Sequence, residues 1–441
     1  MTTPRRQAVH AVLPWILLGL LAWFAARGLR DALRPAGSDL TIYFEAGRAA
    51  LAGRDPNGVE GWIYPPGGAW LFAACAWLPL WAFAGLFQAA SLACLAWSAR
   101  RLAQLVRAAG SGAPSWITWL PTLCVLRMAD SNLTNGQVNH FTLAALVAAL
   151  WAWERGRAGA TGAWVGAAAA FKLLPGILAL HFLLRRSWRA LAASALTLVL
   201  GLVGAPLLLA GPTEGWAQLA TWWHGFLAPH AAGGGELLAA REVLPGQSLP
   251  AALYRLLAAA PATARGAAGP TAAIAALDPD DVRWIVLAAQ AAILAGLAAT
   301  VLRSARGGAP GARLREAALC LACALLLAPL VHKAHMVWML VPYAVLAGGA
   351  PPGLAPGARR ARWALFALSA LFAGASTPFL LGRVLATGAL SHNAVGLGVL
   401  LGALALAVDV WGQTGRGAFS TALRAPPPVP RDPRARPCTT H

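Results

Sequence analysis

Long apolar stretches recur along this chain from residue 8 to residue 411, with few charged residues inside them. A helix needs about 20 predominantly apolar residues to cross the hydrocarbon core of a bilayer, and several stretches reach that length. Charged residues make up only 12% of the chain, well below the roughly 25% found in soluble globular domains. These features exclude a soluble enzyme and predict an all-α integral membrane protein, a polytopic helical bundle.

Arginine clusters between the apolar stretches indicate the orientation of the chain. The net charge is +19, but the basic residues lie in short groups, as topology signals do, rather than on a nucleic-acid-binding surface. Because short cytoplasmic loops are rich in Arg and Lys, we place every cluster inside, which gives about 12 transmembrane helices with both termini cytoplasmic. The predicted spans are residues 8–29, 80–99, 115–129, 138–153, 159–171, 172–184, 188–210, 283–302, 317–331, 336–350, 363–381 and 394–411.

Two long extracytoplasmic loops, residues 30–65 and 211–282, separate predicted spans. Loops of this length are uncommon unless they are functional or disordered. On this path the acidic residues that fall inside are Glu154, Glu316, Asp409 and Asp432. Residues 66–79 are predicted to form an interfacial or re-entrant helix. The predicted organisation is a membrane domain over residues 1–411 and a disordered cytoplasmic tail over residues 412–441.

A first candidate site follows the first predicted span. Residues 38–48 read S-D-L-T-I-Y-F-E-A-G-R, and Y-P-P follows at 64–66. A carboxylate at a helix exit, such as Asp39, can accept a proton from a hydroxyl near the plane of the lipid head groups. The alternative is a solvated loop acid. Tyr43 and Tyr64 are candidate substrate-binding residues in the same segment.

Polar amides mark a second candidate site at the start of the fourth predicted span. Residues 132–139 read N-L-T-N-G-Q-V-N. These amides could hydrogen-bond sugar hydroxyls, or they could cap the helix, where Asn is favoured. Capping accounts well for Asn135 and less well for Gln137 and Asn139. We take Asn135 and Gln137 as candidate substrate-binding residues.

Lys172 and Lys333 are the only two lysines in the chain. Lys172 lies at the apex of the short hairpin formed by the fifth and sixth predicted spans. An ionisable group at that depth is a functional candidate, although snorkelling to the interface is the alternative. Lys333 lies between His332 and His335 at the outer end of the ninth span. These three residues favour a cationic cluster for a phosphate over a two-histidine metal site, because no third ligand at motif spacing is present.

The remaining candidates, Gln247 and Ser248, lie in G-Q-S-L at residues 246–249. All the candidate residues fall on the same side of the predicted membrane, which favours a single extracytoplasmic active site. The chain has no GxxxxGK[ST] motif and no GxGxxG after a strand, so a nucleotide sugar or ATP is not the expected substrate. We predict neither a metal nor an organic cofactor.

Seven short motifs occur in order along the chain. They are S-D-L-x-x-Y at 38–43, G-R-D-P with Y-P-P at 53–66, N-G-Q-V-N at 135–139, K-L-L-P with R-R-S-W-R at 172–189, and G-Q-S-L at 246–249. Together they resemble the polyprenyl-phosphate-sugar-dependent glycosyltransferases of the GT-C fold, in particular the alpha-mannosyltransferase branch of glycosyltransferase family 87. The resemblance covers about residues 10–410. It implies a GT-C-type helical bundle in a bacterial plasma membrane.

The resemblance also implies an activity and residue roles. The activity is an inverting transfer from a polyprenyl-phosphate sugar, commonly mannose, to a lipid or glycan acceptor outside the cytoplasm. Asp39 falls at the position of the family's catalytic aspartate, and Gln137, Lys172 and Gln247 fall at its polar motif positions. The sequence departs from the family pattern at 328–335, where a Ser-Pro start and a His pair are expected but Ala328 replaces the Ser and the pair is split. The roles of the two histidines are therefore left open.

The residues fit this chemistry without the family name. Asp39 would take the proton of the acceptor hydroxyl as that oxygen attacks the anomeric carbon opposite the phosphate. The departing lipid phosphate needs positive charge, which Lys172, Lys333 or a nearby Arg could supply without a metal. The alternative is a transporter or flippase for a lipid-linked saccharide, but midplane polar groups on broken helices and inverted repeats are not evident. The predicted partners are the lipid-linked donor, the acceptor and membrane lipids, with no nucleic acid.

Overall fold

The computed structural model describes residues 4–34, 38–109, 114–231, 246–258, 273–307, 311–329 and 331–412. Within these residues every regular element is a helix, as predicted. In chain order the α-helices are α1 (Pro4–Ala32), α2 (Asp39–Leu51), α3 (Gly67–Ala73), α4 (Leu80–Ala108), α5 (Leu120–Cys124), α6 (Leu126–Thr134), α7 (Asn139–Glu154), α8 (Ala158–Phe171), α9 (Ile177–Leu184), α10 (Trp188–Val199), α11 (Ala205–Leu209), α12 (Pro212–Trp222), α13 (Ala228–Ala231), α14 (Leu249–Leu257), α15 (Pro279–Gly307), α16 (Ala312–Leu327), α17 (Leu340–Ala347), α18 (Pro356–Ala370), α19 (Pro378–Ser391) and α20 (Ala394–Trp411).

By length and composition, five helices in the described part of the chain could cross a membrane: Val12–Ala32, Leu80–Ala108, Trp188–Leu209, Pro279–Arg306 and Ala394–Trp411. A sixth candidate is the pair Pro356–Ala375 and Pro378–Ser391, which is bent by 90° at its break. The sequence prediction of about twelve crossings also includes shorter apolar segments. One of these, 115–129, is divided by breaks at Trp119 and Val125 into short helices. The twelve-crossing path stays a prediction.

The candidate spans differ in how much of their surface the protein covers. In the most apolar 18-residue stretch of Trp188–Leu209, only 11% of the residues are buried by the rest of the protein. Trp188 and Leu208 are among the exposed side chains. In a bilayer, acyl chains would cover such side chains, while the helix satisfies its own backbone hydrogen bonds. By contrast, α16 and α17 are buried along almost their whole length and form the centre of the bundle.

Two short helices flank Lys172, since α8 ends at Phe171 and α9 begins at Ile177, while their pairing as two crossings stays a prediction. Glycines let α8 pack closely on α10. A Cβ at Gly162 would lie 2.0 Å from the carbonyl oxygen of Ala190, so the close approach requires glycine there. Small residues at such contacts are typical of helix pairs in membranes.

Both predicted outer loops contain helices within the described residues. The first loop forms α2, and the predicted interfacial segment 66–79 contains the seven-residue α3. The second loop contains α12, α13 and α14, while residues 232–245 and 259–272 lie outside the described residues. Of these helices only α3 was predicted; α2, α12, α13 and α14 are too short for a membrane-span pattern. The predicted tail, from residue 413 onward, also lies outside the described residues.

Candidate active site

Asp39 is the first residue of α2. The preceding residue, Ser38, has extended backbone and donates its N–H to the Thr41 hydroxyl at 2.9 Å. The carboxylate therefore lies at a helix N-terminus, where the peptide dipoles favour negative charge. Asp39 is half-buried, and burial raises the pKa of its carboxyl above the ordinary value, while the charge of Lys172 lowers that pKa.

A glycine turn brings Gln137 to Asp39. Gly136 has a φ of +66°, and a Cβ at this position would lie 2.5 Å from the Cβ of Leu40. Because glycine alone tolerates both conditions without strain, the turn can pack directly on the start of α2. Gln137 Nε2 then donates a hydrogen bond to Asp39 Oδ2. The N-G-Q motif thus supplies both the close approach and the contact.

Asn132 holds this turn in shape. Its Nδ2 donates to the carbonyl oxygen of Gln137 at 3.0 Å, and its Oδ1 accepts from the Asn139 N–H at 3.2 Å. Asn132 and Asn139 are fully buried. Asn135 is exposed and ends α6, where its amide donates to Ser131 Oγ at 3.3 Å. It therefore lies at a helix end, but at the C-terminal end of α6 rather than the start of α7.

Lys172 follows the last residue of α8 and contacts the amide motif. Its Nζ donates to Asn139 Oδ1 at 2.7 Å and lies 5.8 Å from the centroid of the Tyr64 ring. Asp39 is the charge that acts on this ammonium. This inward hydrogen bond differs from snorkelling, in which the ammonium would reach outward to water. Asp39, Gln137 and Lys172 are thus brought to one place from three separate motifs.

Tyr43 and Tyr64 form the aromatic side of the site. Their hydroxyls are 3.1 Å apart, and both side chains are buried. The Tyr43 ring stacks on Phe72 with centroids 4.9 Å apart, and the Tyr64 ring stacks on Phe171 at 5.1 Å. Burial raises the pKa of both phenols, so both hydroxyls stay protonated and can donate hydrogen bonds.

His332 and His335 lie together at the start of a 3-10 helix, Lys333–Met339. Residues three apart lie over one another in this geometry, so the two histidines share a face. The His332 N–H donates to His335 Nδ1 at 3.3 Å, and the ring centroids are 5.9 Å apart. The His335 side chain is buried, and the positive charge of Lys172 acts on its imidazole ring.

Lys333 has different charged neighbours from those of Lys172. The charges that act on it are Arg127 and Asp130, both on α6. Asp130 Oδ1 also lies 3.5 Å from Arg27 Nη1 on α1. The charges that act on Lys333 are therefore not the one that acts on Lys172.

An apolar cleft of about 500 Å³ adjoins the Asp39 group. Its walls come from α3, α4, α7 and α8 and consist almost entirely of apolar side chains. Three wall residues border the polar group: Phe72 stacks on Tyr43, Phe171 stacks on Tyr64, and Val138 follows Gln137 in the chain. The apolar cleft therefore ends at the aromatic side of the site.

Comparison with known proteins identifies the family of this chain. The family model for glycosyltransferase family 87 matches residues 62–332. This chain belongs to glycosyltransferase family 87. It is also 28% identical over 254 residues to a Mycolicibacterium smegmatis (strain ATCC 700084 / mc(2)155) protein named polyprenol-phosphate-mannose-dependent alpha-(1-2)-phosphatidylinositol mannoside mannosyltransferase. That match covers 50% of this chain and 54% of the relative, so the chain spans about half the length of the relative. No solved structure matches the chain.

The family match covers part of the site. It includes Gln137 and Lys172, begins after Asp39, and ends before Lys333 and His335. The matched residues therefore do not include Asp39. The structural evidence that Asp39 belongs to the site is its contacts. Both of its polar neighbours, the Gln137 amide and the Lys172 ammonium, lie within the matched residues.

Gln247 and Ser248 are buried where the chain approaches His332. The Gln247 N–H donates to the Val331 carbonyl oxygen at 2.8 Å, and Ser248 Oγ donates to that of Pro329 at 3.2 Å. Ser248 also begins α14 as its N-cap residue. The side-chain amide of Gln247 likewise donates to backbone carbonyl oxygens. The structure thus places both residues beside the histidine segment.

Four residues at the site were not among the sequence candidates. Asn132 and Asn139 shape the amide turn, and Phe72 and Phe171 join the apolar cleft to the tyrosines. The two asparagines lie within the segment 132–139 that the sequence marks, and Phe171 directly precedes Lys172. Phe72 carries no sequence signal, because one Phe in an apolar segment cannot be told from a core residue.

Proposed function

We propose that this chain is a membrane glycosyltransferase that transfers a hexose, with mannose as the expected sugar, from a polyprenyl-phosphate donor. The acceptor is a lipid or glycan outside the cytoplasm. The transfer inverts the configuration at the anomeric carbon. Family membership supports a glycosyltransferase, and the name of the M. smegmatis relative supports the class of donor. The observation that carries the proposal is the placement of one carboxylate, Asp39, and one ammonium, Lys172, around a shared amide motif at the end of the apolar cleft.

Asp39 acts as the general base. Burial raises its pKa, which makes the carboxylate a stronger proton acceptor than an exposed one. Gln137 holds Oδ2, so Oδ1 is the oxygen assigned to the acceptor hydroxyl. The acceptor oxygen bonds to the anomeric carbon and passes its proton to Asp39. The bond from that carbon to the phosphate oxygen breaks, and its electron pair leaves with the lipid phosphate.

Lys172 stabilises the departing phosphate. Asn139 Oδ1 accepts one Nζ hydrogen at 2.7 Å, and an ammonium has three donors, so two can face the phosphate. Hydrogen bonds between ions of opposite charge are the strong ones, and they strengthen further as charge develops on the leaving group. Lys333, on which the charges of Arg127 and Asp130 act, is not the lysine assigned to the donor.

The apolar cleft accommodates the first part of the polyprenyl chain. Its walls are apolar, as a polyprenyl chain is, and they end at Phe171 and Val138, next to Lys172 and Gln137 in the chain. A lipid lying in the cleft would therefore present its phosphate to Lys172 and its sugar to the amide motif.

Reconstitution tests the proposal. Purified protein in proteoliposomes is given polyprenyl-phosphate mannose, labelled in the sugar, and a membrane lipid extract as the source of acceptor. A transferase releases free polyprenyl phosphate and forms labelled glycolipid in equal amounts. A flippase would move the intact donor across the bilayer without breaking the sugar–phosphate bond. Donor movement without release of lipid phosphate would contradict the proposal.

A further inference from the structure

Three basic side chains lie near a single carboxylate, that of Asp130. Arg27 Nη1 lies 3.5 Å from Asp130 Oδ1. Arg127 lies three residues before Asp130 on α6, and the 3-10 segment that begins at Lys333 packs against α6, so the charge of Asp130 acts on both cations. We name Arg27, Arg127 and Lys333 the basic cluster. One carboxylate therefore faces three cations, which leaves the basic cluster with excess positive charge.

The hydrogen-bond donors of the basic cluster are not all satisfied. Arg127 Nη1 donates to Ser376 Oγ, but Arg127 Nη2 is buried and has no hydrogen-bond partner within the described ranges. The Asp130 carboxylate has another partner besides the cations, because its Oδ1 also accepts a hydrogen bond from the Thr134 hydroxyl at 3.0 Å. A buried guanidinium donor without a partner is costly, and a bound anion would remove that cost.

Close helix packing fixes the position of the basic cluster. A Cβ at Gly28 would lie 2.1 Å from the Leu133 carbonyl oxygen, so α1 and α6 approach more closely than any larger residue would allow. This contact places Arg27 against Asp130. From Asp130, α6 rises about 6 Å to Thr134, and the turn to Gln137 follows. The turn folds back on α6, because the Gln137 N–H donates to the Asn132 carbonyl oxygen at 2.8 Å, so Asp130 lies only two residues along the chain from the amide motif.

The donor phosphate does not account for the basic cluster. In the proposed function, a donor lipid in the apolar cleft, which ends at Phe171 next to Lys172, presents its phosphate to Lys172. The basic cluster includes Arg27, five residues before the end of the candidate span Val12–Ala32. At that depth the expected anions are lipid head groups. Arginine binds phosphate oxygens through paired donors, which suits such a ligand.

We propose that the basic cluster binds the phosphodiester of a lipid head group. Its source is either the acceptor lipid or a resident membrane phospholipid. The assignment to the acceptor and the exclusion of the donor phosphate rest on the proposed function, while the excess positive charge of the basic cluster does not. If the acceptor is the source, the enzyme holds two anions at once: the donor phosphate at Lys172 and the acceptor phosphodiester at the basic cluster.

Binding of two matched probes tests the site without requiring turnover. One probe is a neutral alkyl mannoside. The other is the same mannoside with a phosphodiester within its alkyl chain, away from the anomeric oxygen, so that it does not mimic the glycosyl phosphate of the donor. Binding to the full chain in nanodiscs is measured for wild type, Arg127→Gln and Lys333→Met. If the acceptor is the source, the preference for the phosphodiester probe should fall about tenfold or more in both variants. Arg30→Gln is the matched control, because Arg30 is an exposed arginine at the same end of α1 and should leave the preference unchanged.

A second arm identifies the source of the phosphodiester. Phosphatidylglycerol is titrated into nanodiscs of otherwise uncharged lipid, and retained phospholipid is measured by mass spectrometry. Loss of probe preference without loss of retained phosphatidylglycerol assigns the site to the acceptor. Loss of retained phosphatidylglycerol with unchanged probe preference assigns it to a resident phospholipid. Either result supports the site.

Wild-type probe preference and wild-type phosphatidylglycerol retention in both variants would overturn the proposal. Melting temperatures check folding, and Arg127→Lys, which keeps the charge, should retain most of the binding. If Arg127→Gln does not fold, Lys333→Met alone decides the outcome. Cluster-dependent binding in a protein that transfers no sugar would refute the proposed function but not the site.

Discussion

At Asp39, burial and the Lys172 ammonium act on one carboxylate in opposite directions. Burial disfavours the charged form and raises the pKa, whereas the positive charge favours it and lowers the pKa. The catalytic base must be ionised, so activity should be lost as the pH falls through this pKa. The acid limb of the pH–rate profile therefore reports on both residues.

Replacing Lys172 with Met should change two measured quantities. Loss of the charge-assisted hydrogen bond, ~1.5 to 3 kcal/mol, should weaken donor binding or slow turnover about 10- to 100-fold. Because Lys172 lowers the pKa of Asp39, its removal should also move the acid limb to higher pH. Lys333→Met, which removes the only other lysine, should leave the acid limb in place. Wild-type donor kinetics and an unmoved acid limb in Lys172→Met would show that the phosphate is held elsewhere.

Single residues of the site were predictable where their chemistry is unusual for their surroundings. Asp39, Gln137 and Lys172 stand out in an apolar chain, and the structure brings all three together. The difference in charged neighbours between Lys333 and Lys172 could not be predicted, because it depends on how α6 packs against the 3-10 segment. Gln247 also has the right chemistry, but its hydrogen bonds to the backbone of Val331 and Leu390 become visible only in three dimensions.

At the scale of elements, the turn between α6 and α7 sets the geometry of the site. Gly136→Ala should clash with Leu40 and force a residue with a side chain into a φ of +66°. We expect a loss of about 1–3 kcal/mol of stability, and a fall in turnover because Gln137 no longer reaches Asp39. The measurements are thermal unfolding and initial transfer rates.

Gly156→Ala is the matched control for this prediction. Gly156 also has a positive φ, +72°, but a Cβ added there would have no neighbour within 4 Å among the described residues. The variant should therefore lose some stability through backbone strain and keep its turnover. Equal turnover in the two glycine variants would show that the turn does not position Gln137.

The arginine clusters have a second role that the sequence did not reveal. Arg185 pairs with the buried Glu316, which also contacts His181 at 2.9 Å. Arg362 and Asp409 form a fully buried pair, with 2.6 Å between Nε and Oδ1. The sequence interpretation used these arginines only as topology signals. Their acidic partners lie far away in the chain, so the pairing required the fold.

Helix boundaries were predictable only where the hydropathy pattern is simple. The predicted span 394–411 agrees with α20, whereas the predicted span 363–381 runs across the 90° break before Pro378. Mean apolarity measures how well a segment dissolves in lipid, but it does not detect where the chain bends. For the same reason the predicted span 363–381 includes only the first four residues of α19. The rest of α19 lies outside every predicted span.

For the whole molecule, the side of the membrane that holds the site is a direct consequence of the proposed path. Cysteines introduced at Glu60 and Arg157, in a background free of other cysteines, test it, since both positions are exposed. Impermeant thiol reagents should label Glu60→Cys in intact cells and Arg157→Cys only after lysis. Labelling of Arg157→Cys in intact cells, with Glu60→Cys protected, would invert the orientation.

The most direct test of the account is the transfer rate of Asp39→Asn in proteoliposomes, measured as release of polyprenyl phosphate. The amide preserves the shape of the side chain but cannot take up the proton, so turnover should fall on the order of 10²-fold or more, while donor binding should survive. Asp55→Asn, an acid in the same outer segment whose side chain binds Asn57, should stay close to wild type. Transfer by Asp39→Asn within about threefold of the wild-type rate would contradict the account and pass the role of base to Glu45, Asp55 or Asp130.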